Sequence, residues 1–163
     1  MLTDGIKFKN FKSKKNYNVE RKFNELINEK NHVLDSLRKN YISSYSKQTL
    51  KKYKNTSQFK IIGMGGSTLG SQTIYEFLKH KIKKNFLFID NLQPQKKKNS
   101  KKKYTNLIIS KSGNTIETIV NANIFIKKKD KNIFITENKK NYLYLLAEKL
   151  KSEVIQHNNF IGG

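Results

Sequence analysis

The sequence predicts an α/β fold, a three-layer αβα sandwich with a five-stranded parallel sheet, preceded by a helical N-terminal segment. Two observations support this prediction. Short apolar runs rich in β-branched and aromatic residues recur from residue 58 onward, and such runs are typical of strands buried on both faces. Segments with helical periodicity separate them, and this alternation is typical of a parallel sheet covered by helices. The length of 163 residues is that of one ordinary domain.

The N-terminal segment, residues 1–57, is polar and has helical periodicity. Seven apolar residues recur at helical spacings and predict one apolar stripe on a helix of about five turns: Val19, Phe23, Leu26, Ile27, Val33, Leu34 and Leu37. A shorter helix is expected from Tyr45 to Tyr53. We expect this segment to pack on a larger body, so the domain of interest is 58–163.

The five predicted strands follow one another along residues 58–163. Four are clear apolar runs, FKIIGM (59–64), FLFID (86–90), TNLIIS (105–110) and NIFIT (132–136), and EVIQH (153–157) is a weaker fifth. Three helical stripes lie between them: Ile74, Phe77, Leu78 and Ile82; Ile116, Ile119, Val120 and Ile124; and Tyr142, Leu145, Leu146 and Leu150. The connection 91–104 contains Pro94 and the run KKKNSKKK, whose lysines predict a solvated loop or face.

The net charge of +22 invites a nucleic-acid interpretation, which the composition does not favour. Lysine accounts for 32 of the 34 cations, and Lys, Asn and Ile together make 70 of the 163 residues. These residues have AT-rich codons, so a biased genome explains the charge. Dedicated nucleic-acid readers use Arg forks and stacking aromatics, whereas Arg21 and Arg38 are the only arginines. We expect no specific nucleic-acid partner, although weak binding to polyanions at low salt follows from the charge.

Other classes are excluded by what the sequence lacks. Cysteine is absent, which excludes disulfides, zinc-thiolate sites and thiol catalysis. No apolar run approaches 18 residues and the N-terminus has no signal-peptide core, so we expect a soluble, cytoplasmic protein with no membrane partner. The histidines, His32, His80 and His157, are expected to be surface or packing residues, and neither a metal site nor a cofactor is predicted.

The first loop with the composition of a phosphate site is GMGGSTLG, residues 63–70, between the first predicted strand and its helix. Glycines let the backbone approach a ligand closely, and the N–H groups of a helix start favour an anion. Ser67 and Thr68 add hydroxyl donors. A tight turn with a Ser or Thr N-cap would explain the same loop equally well.

Two familiar motifs fit this loop poorly. A Walker A loop needs Lys-Ser or Lys-Thr after its last glycine, but Gly70 is followed by Ser71-Gln72. A dinucleotide fingerprint needs Gly or Ala where Thr68 stands, which argues against it. Asp90, at the end of the second predicted strand, is the acidic residue that such a site uses, so the fingerprint remains a weak alternative.

The second loop is SKSGNTIET, residues 110–118, after the third predicted strand. Ser110, Ser112 and Thr115 place three hydroxyls around one glycine. Asn114 and Glu117 have capping-box spacing, which predicts that a helix starts here. Capping alone does not explain the Ser-x-Ser-Gly before them, so this loop favours phosphate binding.

The two loops are expected to meet at one edge of the sheet. If the strand order is 2-1-3-4-5, the first and third strands are neighbours, and their loops flank the switch-point crevice where ligands bind in such sheets. No comparable loop follows the second or fourth strand. This placement predicts a phosphorylated small molecule held by hydroxyls and backbone amides without a metal or a P-loop lysine, while Lys111 either assists as a nearby charge or faces solvent.

Both loops resemble signatures of the glucose-6-phosphate isomerase family. GMGGSTLG resembles its glycine-rich signature, and SKSGNTIET resembles its second signature, both in the sugar-isomerase (SIS) domain. The ending Phe160-Ile161-Gly162-Gly163 resembles the approach to a Gly-Gly-Arg-aromatic-Ser motif. The resemblance covers residues 58–163 well and 1–57 loosely.

The resemblance implies an aldose–ketose isomerase of glycolysis and gluconeogenesis that interconverts glucose 6-phosphate and fructose 6-phosphate without a cofactor. The sugar ring opens, and a proton then moves between C2 and C1 through a cis-enediolate. Full-length relatives are homodimers. By resemblance, Ser67, Ser110, Ser112 and Thr115 would contact the substrate phosphate, with Gly66 and Lys111 near the sugar.

The family's catalytic groups are expected further along a full-length chain, as is the arginine that stabilises the enediolate. We therefore expect a fragment that carries the phosphate-binding SIS domain, contains no catalytic residue and is inactive alone. Its glutamates at 76, 137, 148 and 153 are expected to lie away from both loops. The alternative is a non-catalytic, regulatory SIS module that binds sugar phosphates.

Overall fold

The computed structural model describes residues 14–92 and 103–162. Two compact units are distinguished, divided between Tyr41 and Ile42. The N-terminus up to residue 13, most of the predicted connection 91–104 and the final Gly163 lie outside the described residues. None of the described helices is long and apolar enough to cross a membrane.

The described part of the N-terminal unit, residues 14–41, contains two helices where the sequence predicted one. Helix α1 spans Tyr17–Asn28 and helix α2 spans His32–Asp35. The backbone leaves the helical conformation at Glu29, where ψ is 139°, so the prediction of one helix through residue 37 is wrong. The physical reason is Asn31, whose side chain accepts a hydrogen bond from the Val33 N–H and starts a new helix.

The second unit contains the predicted sheet. Its order is β2-β1-β3-β4-β5 and every neighbouring pair is parallel, which confirms the predicted α/β fold and the order 2-1-3-4-5. The strands are β1 Gln58–Ile62, β2 Asn85–Ile89, β3 Thr105–Ile109, β4 Lys131–Thr136 and β5 Glu153–Gln156. The carboxyl ends of β1 and β3 are therefore adjacent.

Helices cover both faces of this sheet. They are α4 Gly66–Leu78, α5 Ile116–Phe125 and α6 Tyr142–Lys149, while α3, Lys47–Lys52, bonds to the edge strand β5. On one face, the ring of Tyr75 in α4 packs 5.1 Å from that of Phe86 in β2. On the other face, apolar residues of the strands form the buried core with Ala122 of α5 and with Leu143 and Ala147 of α6: Ile62, Ile89, Ile108 and Phe134. The result is the predicted three-layer arrangement.

Helix α3 is joined to the far edge of the sheet by one carboxylate. Glu153 of β5 accepts hydrogen bonds from Thr49 at 3.2 Å, Lys52 at 2.7 Å and Tyr53 at 2.8 Å. The sequence predicted α3 as part of the helical N-terminal segment 1–57, but these bonds attach it to β5. Polar contacts of this kind carry no hydrophobic periodicity, so the apolar pattern of the sequence does not show them.

Candidate functional site

A cleft of about 380 Å³ lies at the carboxyl ends of β1 and β3. It is lined by seven residues of the two predicted loops and by one residue outside them, Glu137: Met64, Gly66, Ser67, Ser110, Lys111, Ser112, Thr115 and Glu137. All six residues that the sequence analysis assigned to substrate binding are in this set. The other two lining residues are Met64, which lies within the first loop, and Glu137, which lies outside both loops.

Glycines bring the first loop close to the ends of β2 and β3, the two strands beside β1. The N–H of Gly63 donates to the carbonyl oxygen of Ile89 at 3.1 Å. A Cβ on Gly63 would lie 2.9 Å from the carbonyl oxygen of Ile109, closer than a real side chain allows. Gly65 has φ of +54°, which glycine adopts at no steric cost. The loop 63–70 therefore turns tightly against the end of the neighbouring strand.

Helix α4 starts at this loop without a side-chain cap. Its N-cap is Gly65, so the Ser or Thr N-cap considered for this turn is absent. The Thr68 hydroxyl is buried and donates to the carbonyl oxygen of Gly65 at 3.2 Å, so the expectation that Thr68 offers a free donor is wrong. Ser67 lines the cleft, and its hydroxyl makes no hydrogen bond within the described residues. The uncapped start of α4 favours an anion.

The hydroxyls of the second loop converge on one another. The Oγ atom of Ser110 and the Oγ1 atom of Thr115 lie 2.9 Å apart, and Ser110 also accepts a hydrogen bond from the Gly113 N–H at 3.2 Å. Ser110 is only 2% exposed, so its position is fixed by packing. The Ser112 hydroxyl accepts from the N–H of Asn114 at 3.3 Å. Internal hydrogen bonds thus hold this loop ready for a ligand.

The start of helix α6 anchors the same loop from outside. The Tyr142 N–H donates to Asn114 Oδ1 at 3.0 Å, and the Leu143 N–H donates to the Gly113 carbonyl at 3.1 Å. The first N–H groups of a helix have no partner within it, and here the loop provides partners. The predicted capping box is therefore wrong: α5 does begin here, but its N-cap is Thr115, because the Asn114 side chain bonds to α6 instead.

Glu137 is the cleft residue that the sequence analysis missed, since it was expected to lie away from both loops. It follows β4 directly and is 8% exposed. Its carboxylate lies 2.9 Å from the Lys139 ammonium and 3.9 Å from that of Lys111. The hydrogen bond from Lys139 lowers the pKa of Glu137 below its ordinary value, and attraction to Lys111 and His157 adds to this effect against the opposing influence of burial. The residue is therefore an ionised carboxylate at the cleft wall.

The predicted strand order contained a signal for the position of Glu137. Strand β4 pairs with β3 in parallel, so the residue after β4 lies at the same sheet edge as the second loop. Its backbone N–H donates to the carbonyl oxygen of Lys111 at 3.0 Å. The three histidines and Asp90 are not among the residues that line the cleft. Within residues 14–92 and 103–162, no group of His, Asp or Glu side chains could hold a metal ion.

The chemistry of this cleft suits a phosphate group. Hydroxyls from two loops and the start of a 13-residue helix surround it, and the Lys111 ammonium adds positive charge. Hydrogen bonds to an ionised group contribute about 1.5–3 kcal/mol each. Glu137 adds one negative charge to the same lining, and this charge opposes the binding of an anion.

Comparison with known proteins identifies the family of this chain. The protein-family model of phosphoglucose isomerase matches residues 7–152. The chain belongs to the phosphoglucose isomerase family. The match includes both cleft loops and extends through most of the helical N-terminal segment, where the sequence resemblance was loose.

Several glucose-6-phosphate isomerases are similar in sequence to this phosphoglucose isomerase family member. The enzyme of Methanocaldococcus jannaschii is 39% identical over 108 residues, which cover 57% of this chain and 27% of that protein. Those of Borreliella afzelii and Acholeplasma laidlawii are 35% and 34% identical, over 69% of this chain and 24% and 31% of theirs. The chain thus spans about a quarter to a third of the length of these relatives.

A solved structure supports the fold. The crystal structure of a hypothetical protein from Thermus thermophilus aligns with a TM-score of 0.59 and 20% identity. The alignment covers 90% of this chain and 42% of the other. At this identity the likeness concerns the fold alone.

Proposed function

We propose that this chain forms the phosphate-binding part of a glucose-6-phosphate isomerase and holds the phosphate of glucose 6-phosphate or fructose 6-phosphate in the cleft between its two loops. One observation carries the proposal: the residues that the isomerase signatures assign to the substrate lie together around a single cleft. The isomerase relatives supply the substrate class.

Each side chain has a distinct part in this proposal. The hydroxyls of Ser67, Ser112 and Thr115 donate to phosphate oxygens, and Ser110 orients Thr115 through the 2.9 Å contact between their hydroxyls. The start of α4 adds a favourable field for the anion. Gly66 and Lys111 lie beside the sugar, where a glycine leaves room and an ammonium can donate to a hydroxyl.

Isomerisation needs more than this cleft provides. A positioned base must remove the C2 proton, which contributes about 10²–10⁴-fold, and a donor must stabilise the enediolate oxygen, which contributes about 10²–10³-fold. Glu137 is the only carboxylate in the lining that the structure describes, and its pairing with Lys139 makes it a weak base. We expect the 163-residue chain to bind sugar phosphates without converting them.

A second candidate function is a sugar-phosphate-binding module with no catalytic partner domain. The observation in its favour is the same ion pair of Glu137, since a carboxylate held by two lysines suits binding better than proton transfer. The two candidates share the cleft and differ in the role of the rest of the protein.

The experiment is a coupled assay for fructose 6-phosphate on the purified chain, produced in a host without its own isomerase. The proposal predicts calorimetric binding of glucose 6-phosphate without turnover. Turnover that Glu137→Gln abolishes, and that Glu76→Gln on the outer part of α4 leaves intact, would place the catalytic base within these residues. Absence of binding would contradict both candidate functions.

A further inference from the structure

A second cleft, of about 780 Å³, lies at the opposite edge of the sheet, where β1, β3 and β4 begin. Its volume is in the range of small-molecule sites. Neither loop of the phosphate cleft contributes to it, and the isomerase resemblance assigns it no role. We call it the amino-edge cleft, and its central residue is Lys60.

Lys60 is a half-buried cation without a hydrogen-bond acceptor among the described residues. It stands in the middle of β1, and its ammonium lies 5.1 Å from the ring centre of Tyr104 and 5.4 Å from that of Phe125. No carboxylate, carbonyl or hydroxyl of the described residues accepts a hydrogen bond from it. Burial lowers the pKa of Lys60, against the attraction of Asp130. The two rings stabilise the charge, but its three N–H donors have no acceptor within residues 14–92 and 103–162.

Other half-buried lysines of this unit are paired. The Lys84 ammonium donates to the carbonyl oxygens of Tyr53, Lys54 and Thr56, and Lys111 faces Glu137. A buried charge is costly unless it is paired. The lysine-rich composition explains exposed lysines, but it does not explain an unpaired one on a central strand.

The neighbour of Lys60 in the sheet also carries a polar side-chain atom without a hydrogen-bond partner among the described residues. Asn106 of β3 is in register with Lys60 and is 1% exposed. Its Nδ2 donates to Asn132 Oδ1 at 2.8 Å, and Asn132 in turn donates to the carbonyl oxygen of Lys127, which fixes the orientation of both amides. Asn106 Oδ1 accepts no hydrogen bond from any of the described residues. A donor residue and an acceptor residue thus lie in register on neighbouring strands, and neither group has a hydrogen-bond partner in the part of the chain that the structure describes.

The charge of the cleft is positive. Lys103, Lys127, Lys129 and Lys131 line it together with Lys60, and Asp130 is the one acidic residue in the lining that the structure describes. The carboxylate of Asp130 already accepts a hydrogen bond from the Lys127 N–H at 3.0 Å. Four exposed cations around a half-buried fifth suit a ligand with more than one negative charge.

We propose that the amino-edge cleft binds a small multivalent oxyanion, a phosphate or carboxylate compound, whose oxygen accepts hydrogen bonds from the Lys60 ammonium. Tyr104 and Phe125 hold the ammonium in place, and the exposed lysines attract the anion. The site is independent of the sugar-phosphate cleft, so either can fail without the other.

The test combines NMR on lysine-labelled protein with calorimetry, in the full 163-residue chain at about 150 mM salt. The probes are pyrophosphate and citrate, one for each source of oxyanion. We expect at least one of them to shift the Lys60 13Cε resonance and to raise the pKa of Lys60, since a bound anion favours the charged form. The probe that binds shows whether the cleft takes a phosphate compound or a carboxylate compound.

Lys60→Met keeps the length of the side chain and removes the charge, while Lys128→Met removes the same charge from a loop position outside the lining. We expect Lys60→Met to weaken binding about tenfold or more and Lys128→Met to leave it within about twofold. Ser110→Ala/Thr115→Val should leave the probe-induced shift of the Lys60 13Cε resonance unchanged, because this readout is local to the amino-edge cleft and does not report on binding in the phosphate cleft. Equal affinity of the two lysine variants would overturn the proposal. An unmoved Lys60 resonance at roughly 10 mM of both probes would also overturn it, and this wild-type measurement needs no variant to fold.

Discussion

A side chain at Gly113 would occupy the space of the Asn141 side-chain amide, so the second cleft loop and the start of α6 fit together only because residue 113 is glycine. Gly113 also has φ of +67°. Asn141 caps α6 by accepting from the Tyr144 N–H at 2.9 Å, and it donates to Thr136 Oγ1 at 3.0 Å. The loop, β4 and α6 therefore meet at this pair, and the position of the cleft hydroxyls depends on it.

Gly113→Ala should destabilise the chain by about 1–3 kcal/mol, because the backbone conformation is strained for alanine and the Asn141 amide must move. Gly70→Ala is the matched control. It lies within α4 with nothing near its Cβ position, and it should stabilise by about 0.5–1 kcal/mol. Urea unfolding measures both. A neutral effect of Gly113→Ala would contradict the described contact.

Glu137→Gln should tighten the binding of glucose 6-phosphate several-fold at neutral pH. The carboxylate repels a phosphate dianion in the same cleft and also pairs with Lys111, which the substitution releases. Calorimetry measures the effect, and Glu76→Gln, whose carboxylate pairs with Lys79 outside the cleft lining, is the control. Weaker binding by Glu137→Gln would instead mean that the carboxylate contacts the sugar or positions Lys111.

Glu153 should make the attachment of α3 sensitive to acid. Burial opposes its ionisation, but hydrogen bonds from Lys52, Tyr53 and Thr49 prevail and lower the pKa of Glu153 below its ordinary value of 4.5. A lowered pKa means that this stabilisation is complete above pH 4.5 and is lost as the pH falls through the pKa of the folded state. Glu153→Gln should therefore destabilise the chain at pH 7 and lose that effect in acid.

The measurement is urea unfolding of wild type and Glu153→Gln at several pH values. Glu148→Gln, an exposed change on α6, is the control and should have little effect at either pH. A gap between wild type and Glu153→Gln that stays constant down to pH 3 would show that the charge of Glu153 does not hold α3.

Strand β2 should exchange its amide hydrogens faster than β3. It is an edge strand, and Leu87 at its centre is 44% exposed, whereas Ile108 of the interior strand β3 is fully buried. Local opening is easiest where few apolar contacts must break. Native-state hydrogen exchange measures the difference. Equal or greater protection of β2 would mean that this edge is better covered than its burial indicates.

The sequence was sufficient to predict the five-stranded sheet and the six site residues that line the cleft. The apolar runs are local signals, and the carboxyl ends of neighbouring parallel strands must share an edge, so the loops with Ser67 and Ser110 had to meet. Features made by long-range polar contacts were not predictable in this way. The Asn114 side chain bonds to Tyr142, 28 positions later, although its local spacing favoured a capping box.

Two further differences have the same kind of cause. Thr68 has a hydroxyl side chain in a glycine-rich loop, as many ligand-binding residues do. The turn at Gly65, however, buries this hydroxyl, which donates to a backbone carbonyl. Glu137 looked remote because no motif surrounds it, and only the pairing of β4 with β3 brings it to the cleft. Residue type and local spacing do not encode either outcome, although the predicted strand order already placed the end of β4, and so Glu137, beside the end of β3.

The central claim is that the hydroxyls of the two loops bind a sugar phosphate. Its most direct test is calorimetric titration of glucose 6-phosphate into wild type, Ser110→Ala/Thr115→Val and the control Ser71→Ala/Thr73→Val, which removes the same two hydroxyl types from α4 outside the cleft lining. With each variant shown to be folded by circular dichroism, the account predicts a loss of about tenfold or more for the cleft variant and less than about twofold for the control. Equal affinity of wild type and the cleft variant would contradict it.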